Sequence, residues 1–461
     1  MTFTHAPKRE KTIQREVMAE TTNLSVLMFP YLAYGHFTPF LELAKKLSDR
    51  GFLIDFCSTP INLSYIKKKI PHKYSCSIQL VELHLQDLPE LPPHYHTTKD
   101  LPFHLQTTLY KALMMEEAQF HQILKDQKPD VLVFDIMQPW SVRAASSLNI
   151  PAIKYCIASA ATCCYFGNLK LKPGVEFPFT ALYLKDYEQE IKRHIELQVE
   201  EGGENIMLLN TSRAIDAKYL DYLSEIGQGN ILPTGVVIQD LEDEGDIEET
   251  QLIKWIGKNK EHSTVYVSFG SECVMTKEEM EEVAYGLEVS NVHFIWVVRI
   301  PRGEQVVRLE EVLPQGFLER IGERGRIVEG WVPQAKILKH ASIGAFVTHC
   351  GWNSTLESIE FGVPIIALPI NFCSDQPINA RLVVEIGIAT EIARDGDGKL
   401  HRGYIAETIK EVIFGKEIGE NLRKKVNSLR ENVTLLREEH MDGVAKVIKQ
   451  LREKKNQSRS A

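Results

Sequence analysis

The stretch THCGWNSTLES (348–358) has the residue types and spacing of an anion site. An apolar run ends at His349-Cys350, Gly351 permits close backbone approach, and Asn353-Ser354 reads as the opening of a helix. Unpaired N–H groups and the positive end of the helix dipole meet there, worth about 0.5–2 kcal/mol from the dipole alone. Ser354-x-x-Glu357 also has the spacing of a capping box, so the same two side chains are equally explained as parts of the helix start. Far upstream, His36 lies between the apolar run LSVLMF (24–29) and a helix that Thr38-Pro39 is expected to begin as N-cap and first residue. Proximity to a helix N-terminus disfavours imidazolium and leaves a neutral base near pH 7. Asp135 closes the run VLVFD (131–135). With both residues at the carboxyl ends of parallel strands, an Asp–His contact would fix the tautomer and stabilise the charge formed on proton uptake.

These residues need elements to carry them. The run 24–29, a helix with Phe40, Leu43, Ala44 and Leu47 on one face, and FLIDFCS (52–58) make a βαβ unit. VLVFD and a helix near 141–148 continue the alternation. Seven acidic side chains fall within DLEDEGDIEE (240–249), the composition of an exposed linker. The pattern then restarts with STVYVSFGS (263–271), a helix over 277–290, and strands at 293–299, 326–332, 343–350 and 364–370. Two consecutive α/β sheets follow, with ligands expected at strand carboxyl ends and in the crevice between domains. The division is 1–19 a disordered extension, 20–240 a first Rossmann-like domain, 241–250 an acidic linker, 251–435 a second Rossmann-like domain, and 436–461 a terminal helix packing back on the first domain.

Composition narrows the classes. The chain has 461 residues, 44% hydrophobic and 25% charged, the balance of a protein with sizeable cores. A net charge of −9 makes a nucleic-acid surface no default. Eight cysteines without a CxxC pair argue against both a disulfide framework and a zinc site. No apolar span reaches membrane-helix length, and the N-terminus lacks a signal-peptide core, which points to a cytoplasmic address; a monomer is expected. The His94/His96 pair lies in a Pro-rich loop (83–98) and reads as solvated. Asp395-Gly-Asp397 reads as a Gly-rich turn. No GxGxxG joins a strand to a helix, which disfavours a dehydrogenase.

From 331 to 376 the sequence is WVPQAKILKHASIGAFVTHCGWNSTLESIEFGVPIIALPINFCSDQ. This resembles the signature segment of the plant family-1 UDP-dependent glycosyltransferases, inverting enzymes of GT-B architecture in which two Rossmann-like domains face each other across a cleft. The resemblance extends over the chain after about residue 22. It implies that Trp331 stacks on uracil, the Val332 backbone holds the base edge, and Gln334 and Glu357 bond the ribose. It further implies that His349, Asn353, Ser354 and Ser271 hold the pyrophosphate, beside Gly351 and Trp352, and that Asp375 and Gln376 hold the donor sugar, with Gln376 suggesting glucose. Cys373-Ser374 is an insertion relative to the usual segment, just ahead of those last two. His36 is implied as the base and Asp135 as its partner, with UDP-glucose the donor and no metal required. The strings ELPPHYHTT (90–98), DIMQPW (135–140), PGVEFPF (173–179), TSRAIDAKYLDYL (211–223) and FGSE (269–272) resemble the branch that extends a sugar already on a natural product, as in the steviol-glycoside and mogroside glucosyltransferases. The expected product is a β-1,2- or β-1,6-linked glucose on a terpenoid or similar glycoside. Direct glucosylation of an aglycone is the alternative, and a nucleotide-sugar binder without turnover the more distant one.

Overall fold

Short runs rich in β-branched and aromatic residues, each ending in a turn or helix start, become the strands of two parallel sheets. The computed structural model describes residues 24–189, 206–227, 229–239, 247–270, 273, 275–299, 308–370 and 375–460. The expected extension 1–19, residues 241–246 of the acidic segment, Ser271 and the Cys373-Ser374 insertion lie outside the described residues. The end of the acidic segment opens a helix, Ile247–Ile256.

The first sheet contains β1 (Ser25–Phe29), β2 (Leu53–Ser58), β3 (Ile78–Glu82), β4 (Val131–Asp135), β5 (Ala152–Cys156), β6 (Ile206–Leu209) and β7 (Asn230–Pro233), in the order 3-2-1-4-5-6-7. The second contains β8 (Thr264–Ser268), β9 (His293–Val298), β10 (Gly325–Glu329), β11 (Ile343–Thr348), β12 (Ile365–Ala367) and β13 (Ala389–Glu391), in the order 10-9-8-11-12-13. Each pairing is parallel. Helices therefore cover both faces, and strands such as β4 and β11 are buried along their whole length. The order reverses between β1 and β4 in one sheet and between β8 and β11 in the other. Those switch points are where open α/β sheets take ligands, and they fall at His36/Asp135 and at His349.

Two helix starts differ from the sequence reading. Helix α1 spans Tyr34–Ser48 with Ala33 as N-cap and Pro39 inside, so His36 sits in the first helical turn rather than in a loop. Helix α2 (Ala160–Leu171) is capped by Ser159, whose hydroxyl accepts from the Thr162 N–H. Helix α3 (Trp352–Phe361) has Gly351 as N-cap, upstream of the expected start at Ser354. Ser354 and Glu357 consequently form no capping box, because the Gly351 carbonyl already accepts the first helical bond, from Thr355 N at 3.0 Å.

Helices α4 (Gln376–Glu385) and α5 (Lys416–Ser460) complete the parts that matter to the site. The lobes share one apolar cluster, in which Cys164 and Tyr219 of the first pack with Trp352, Ile378 and Val383 of the second. Helix α5 crosses from one lobe to the other. Leu422 belongs to the core of the second lobe, whereas Met441, Val444, Ile448 and Leu451 belong to that of the first. Arg50 bonds Glu438 at 2.6 Å and Asp442 at 2.9 Å, tying the helix to the end of α1. The expected division between 435 and 436 falls inside this single helix. Among the described residues no helix is long and apolar enough to cross a membrane.

Candidate active site

A cleft of about 810 Å³ runs between the lobes, with Tyr34 and His36 on one wall and Trp331, His349, Glu357 and Asp375 on the other. The carboxyl ends of β1 and β4 are adjacent, and α1 begins directly above them. This brings His36 Nδ1 to 2.6 Å from Asp135 Oδ2. The Asp135 carboxylate also accepts from the Tyr31 N–H at 3.3 Å and the Met137 N–H at 3.0 Å. All its neighbours donate, so the carboxylate acts as acceptor, Nδ1 carries the ring proton, and Nε2 presents its lone pair. Asp135 is 1% exposed and His36 21%, so the pair is shielded while the ring still reaches the cleft.

Opposite stands the start of α3. A glycine N-cap offers no side chain to its first N–H groups, which leaves a helix N-terminus suited to an anion. Cys350 adopts a left-handed φ of +64°, turning the chain sharply out of β11. Glycines shape the pocket around the His349 ring: a Cβ on Gly351 would come within 2.5 Å of Nε2, and one on Gly270 within 2.8 Å of Cε1. Burial lowers the His349 pKa to about 4, so the imidazole is neutral and one ring N–H can donate.

The Asn353 side chain spans the cleft. Pro39 has no N–H to give to the Gly35 carbonyl, which would otherwise lack its helical donor. Asn353 Nδ2 supplies one at 2.7 Å, from 318 positions away. The turn carrying His36 is thereby fastened to the helix start in the other lobe. Trp352, expected among the donor contacts, buries its indole and donates from Nε1 to the Asn210 carbonyl at 2.7 Å, serving the lobe interface.

Trp331 is 58% exposed, with the Arg299 guanidinium 5.0 Å from its ring centroid and the Tyr34 ring 5.8 Å away. Gln334 accepts from the Tyr266 hydroxyl at 3.0 Å and donates to Glu357 and, at 3.3 Å, to Ser354. Ser354, Glu357 and Gln334 thus form one polar patch below the indole end of the cleft. Val332 lines it too. Asp375 and Gln376 lie at the His36 end, where Gln376 Oε1 accepts from the Ile370 N–H at 3.3 Å. Burial raises the Asp375 pKa, while the Asn379 hydrogen bond and nearby His36 oppose that rise.

Sequence reasoning missed Tyr34, Tyr266, Arg299 and Asn379. Tyr266 is hidden in an apolar strand run and gives no signal. Arg299 is a lone charge closing HFIWVVR, and Asn379 stands one helical turn from Asp375; either spacing could have marked them. Asp395-Gly-Asp397 is the turn expected of it, but the His94/His96 pair is not solvated throughout: His94 is exposed, whereas His96 turns inward. His96 is buried with Nε2 3.1 Å from the Leu91 carbonyl, and Asp395 accepts from the N–H groups of Asp397 and Lys399 within its own turn. Among the described residues no cluster of three His, Cys, Asp or Glu is arranged to hold a metal ion.

Comparison with known proteins matches residues 228–431 to the family described as UDP-glucoronosyl and UDP-glucosyl transferase, and residues 22–230 to the glycosyltransferase N-terminal domain. The chain is 50% identical over 440 residues to the beta-D-glucosyl crocetin beta-1,6-glucosyltransferase of Gardenia jasminoides, covering 92% of this chain and 98% of that one. It is 46% identical over 441 residues to a mogroside IIIx synthase of Siraitia grosvenorii, covering 92% and 97%. The crystal structure of Glycyrrhiza uralensis UGT73P12 with glycyrrhetinic acid 3-O-monoglucuronide superposes with a TM-score of 0.80 at 24% identity, covering 95% and 98%.

Proposed function

The chain belongs to the plant family-1 UDP-dependent glycosyltransferases, and from that premise we propose that it transfers glucose from UDP-glucose, with inversion, onto a sugar of a natural-product glycoside such as a terpenoid or steviol glycoside. The bond formed is β-1,2 or β-1,6. The names of the Gardenia and Siraitia relatives, one a β-1,6-glucosyltransferase of a glucosylated carotenoid acid and the other a mogroside synthase, support an acceptor that already carries sugar.

In this reading uracil stacks on Trp331, with the Val332 backbone at its edge and Arg299 holding the indole by a cation–π contact worth about 0.5–1 kcal/mol. Gln334 and Glu357 take the ribose hydroxyls. The pyrophosphate meets the N-terminus of α3, with Ser354, Asn353, Ser271 and the neutral His349 around it and Gly351 admitting it closely. Asp375 and Gln376 hold the glucose hydroxyls. The acceptor hydroxyl gives its proton to His36 Nε2 as its oxygen bonds to the anomeric carbon, on the face opposite UDP. The bond from that carbon to the phosphate oxygen breaks, its electron pair leaving with UDP, and the α-linked donor becomes a β-glucoside. Imidazolium is stabilised by Asp135, and charge growing on the diphosphate by the α3 dipole and its donors, so no metal is required. We further assign the enzyme to the cytoplasm, as a monomer.

The observation that carries this reading is the His36–Asp135 contact facing the uncapped start of α3. The test is product analysis with UDP-glucose and a matched aglycone and monoglucoside, UDP-glucuronic acid serving as a competing donor. A diglucoside with a β-1,2 or β-1,6 bond supports the proposal. Glucosylation of the aglycone alone overturns its acceptor part, and preference for the glucuronosyl donor overturns its donor part.

A further inference from the structure

Asp375 is the N-cap residue of α4, and Asn379 follows one turn later, fully buried. The hydrogen-bonding groups of the Asn379 amide are all engaged. One N–H reaches Asp375 Oδ2 at 2.7 Å, and the other the Cys350 carbonyl at 3.0 Å. On the oxygen side, the hydroxyls of Ser159 and Thr162 lie 2.7 and 3.2 Å from Oδ1 and 2.8 Å from each other. This dictates the orientation of the amide, because only acceptors stand by its nitrogen and only hydroxyls by its oxygen.

The partners come from three places. Asp375 belongs to the sugar end of the cleft. Cys350 is the turn between His349 and Gly351. Ser159 and Thr162 form the cap of α2 in the other lobe, 220 and 217 positions away. A buried amide that only filled space would be replaceable by an apolar side chain, whereas removal here strips a donor from a half-buried carboxylate and another from a buried carbonyl.

We propose that Asn379 is a positioning residue that aims the Asp375 carboxylate at the donor sugar, and that Ser159 and Thr162 make sugar recognition a joint property of the two lobes. This rests on the reading of Asp375 as a sugar-holding group.

The test compares KM for UDP-glucose with Ki for UDP, which lacks the sugar, in N379A, T162V, D375A and the N379A/D375A double variant. Asn379→Ala should raise KM by about tenfold or more, the loss of a hydrogen bond to a charged group, while Ki for UDP stays where it was. Thr162→Val leaves the Ser159 cap in place and should raise KM by roughly threefold. In the Asp375→Ala background Asn379→Ala should add nothing. A parallel rise in Ki, or full additivity in the double variant, overturns the positioning role. Should N379A fail to fold, an unchanged KM in T162V overturns the proposal. If D375A leaves the ratio of KM to Ki unaltered, the assignment of Asp375 fails and the positioning role falls with it; a shift in D375A without one in N379A refutes the positioning role alone.

Discussion

Asp135→Asn keeps the volume behind His36 and removes the charge. Three donors converge on that carboxylate: His36 Nδ1–H, Tyr31 N–H and Met137 N–H. An amide oxygen can satisfy Met137, but the amide nitrogen then confronts the other two, donor against donor. The ring answers by moving its proton to Nε2, and the nitrogen meant to accept a proton becomes a donor. The charge term can be sized separately. With about 4 Å between charge centres and an effective dielectric of about 20, the imidazolium loses about 4 kcal/mol of stabilisation. That corresponds to roughly a thousandfold in kcat, before the tautomer change adds to it. Initial rates at saturating UDP-glucose and acceptor glycoside should show this loss, while calorimetry finds UDP affinity unchanged. The unsatisfied donors cost stability of about 1–3 kcal/mol, visible as a lower Tm. A loss in kcat below about tenfold refutes the dyad, since it would mean the carboxylate contributes less than about 1.4 kcal/mol.

Trp331→Ala should weaken UDP binding by about 1–3 kcal/mol in calorimetry, the range for stacking one base, with little change in Tm because the indole is half exposed. Gly351→Ala drives a methyl into the His349 ring and should abolish measurable UDP binding while the chain remains folded by circular dichroism; retained affinity would refute the close-approach role of this glycine. Burial holds the folded His349 near pKa 4 against an ordinary 6.5, so the unfolded chain binds a proton that the folded chain refuses. The neutral imidazole's contribution is complete above about pH 6.5 and is lost as pH falls toward 4, so the unfolding free energy should rise with pH across that window more steeply in the wild type than in His349→Gln. Equal slopes in denaturant titrations would refute the burial argument.

The strands that lead to His36, Asp135 and His349 were legible because each is a short apolar run ended by a turn or a polar residue. The short strands β3, β5, β6, β7 and β13 were not singled out. β7 even ends in proline, and such segments are strands only because neighbours pair with them. The two misplaced helix starts share a cause. Thr38-Pro39 and Ser354-x-x-Glu357 are strong local cap signals, yet partners farther along the chain override them: Asn353 takes over the donor that Pro39 withholds, and Gln334, 20 and 23 positions upstream, engages Ser354 and Glu357. The Asn379 network is illegible for the same reason, since its hydroxyl partners belong to the other lobe.

The path of α5 bears on how enzymes of this kind can be recombined. A chimera made by exchanging the first lobe at the acidic segment would leave Met441, Val444, Ile448 and Leu451 of the recipient seated in a foreign core, and Arg50 of the incoming lobe facing unmatched carboxylates. The transplantable unit is therefore discontinuous: the first sheet with its helices, together with the last part of the chain from about Glu438 onward.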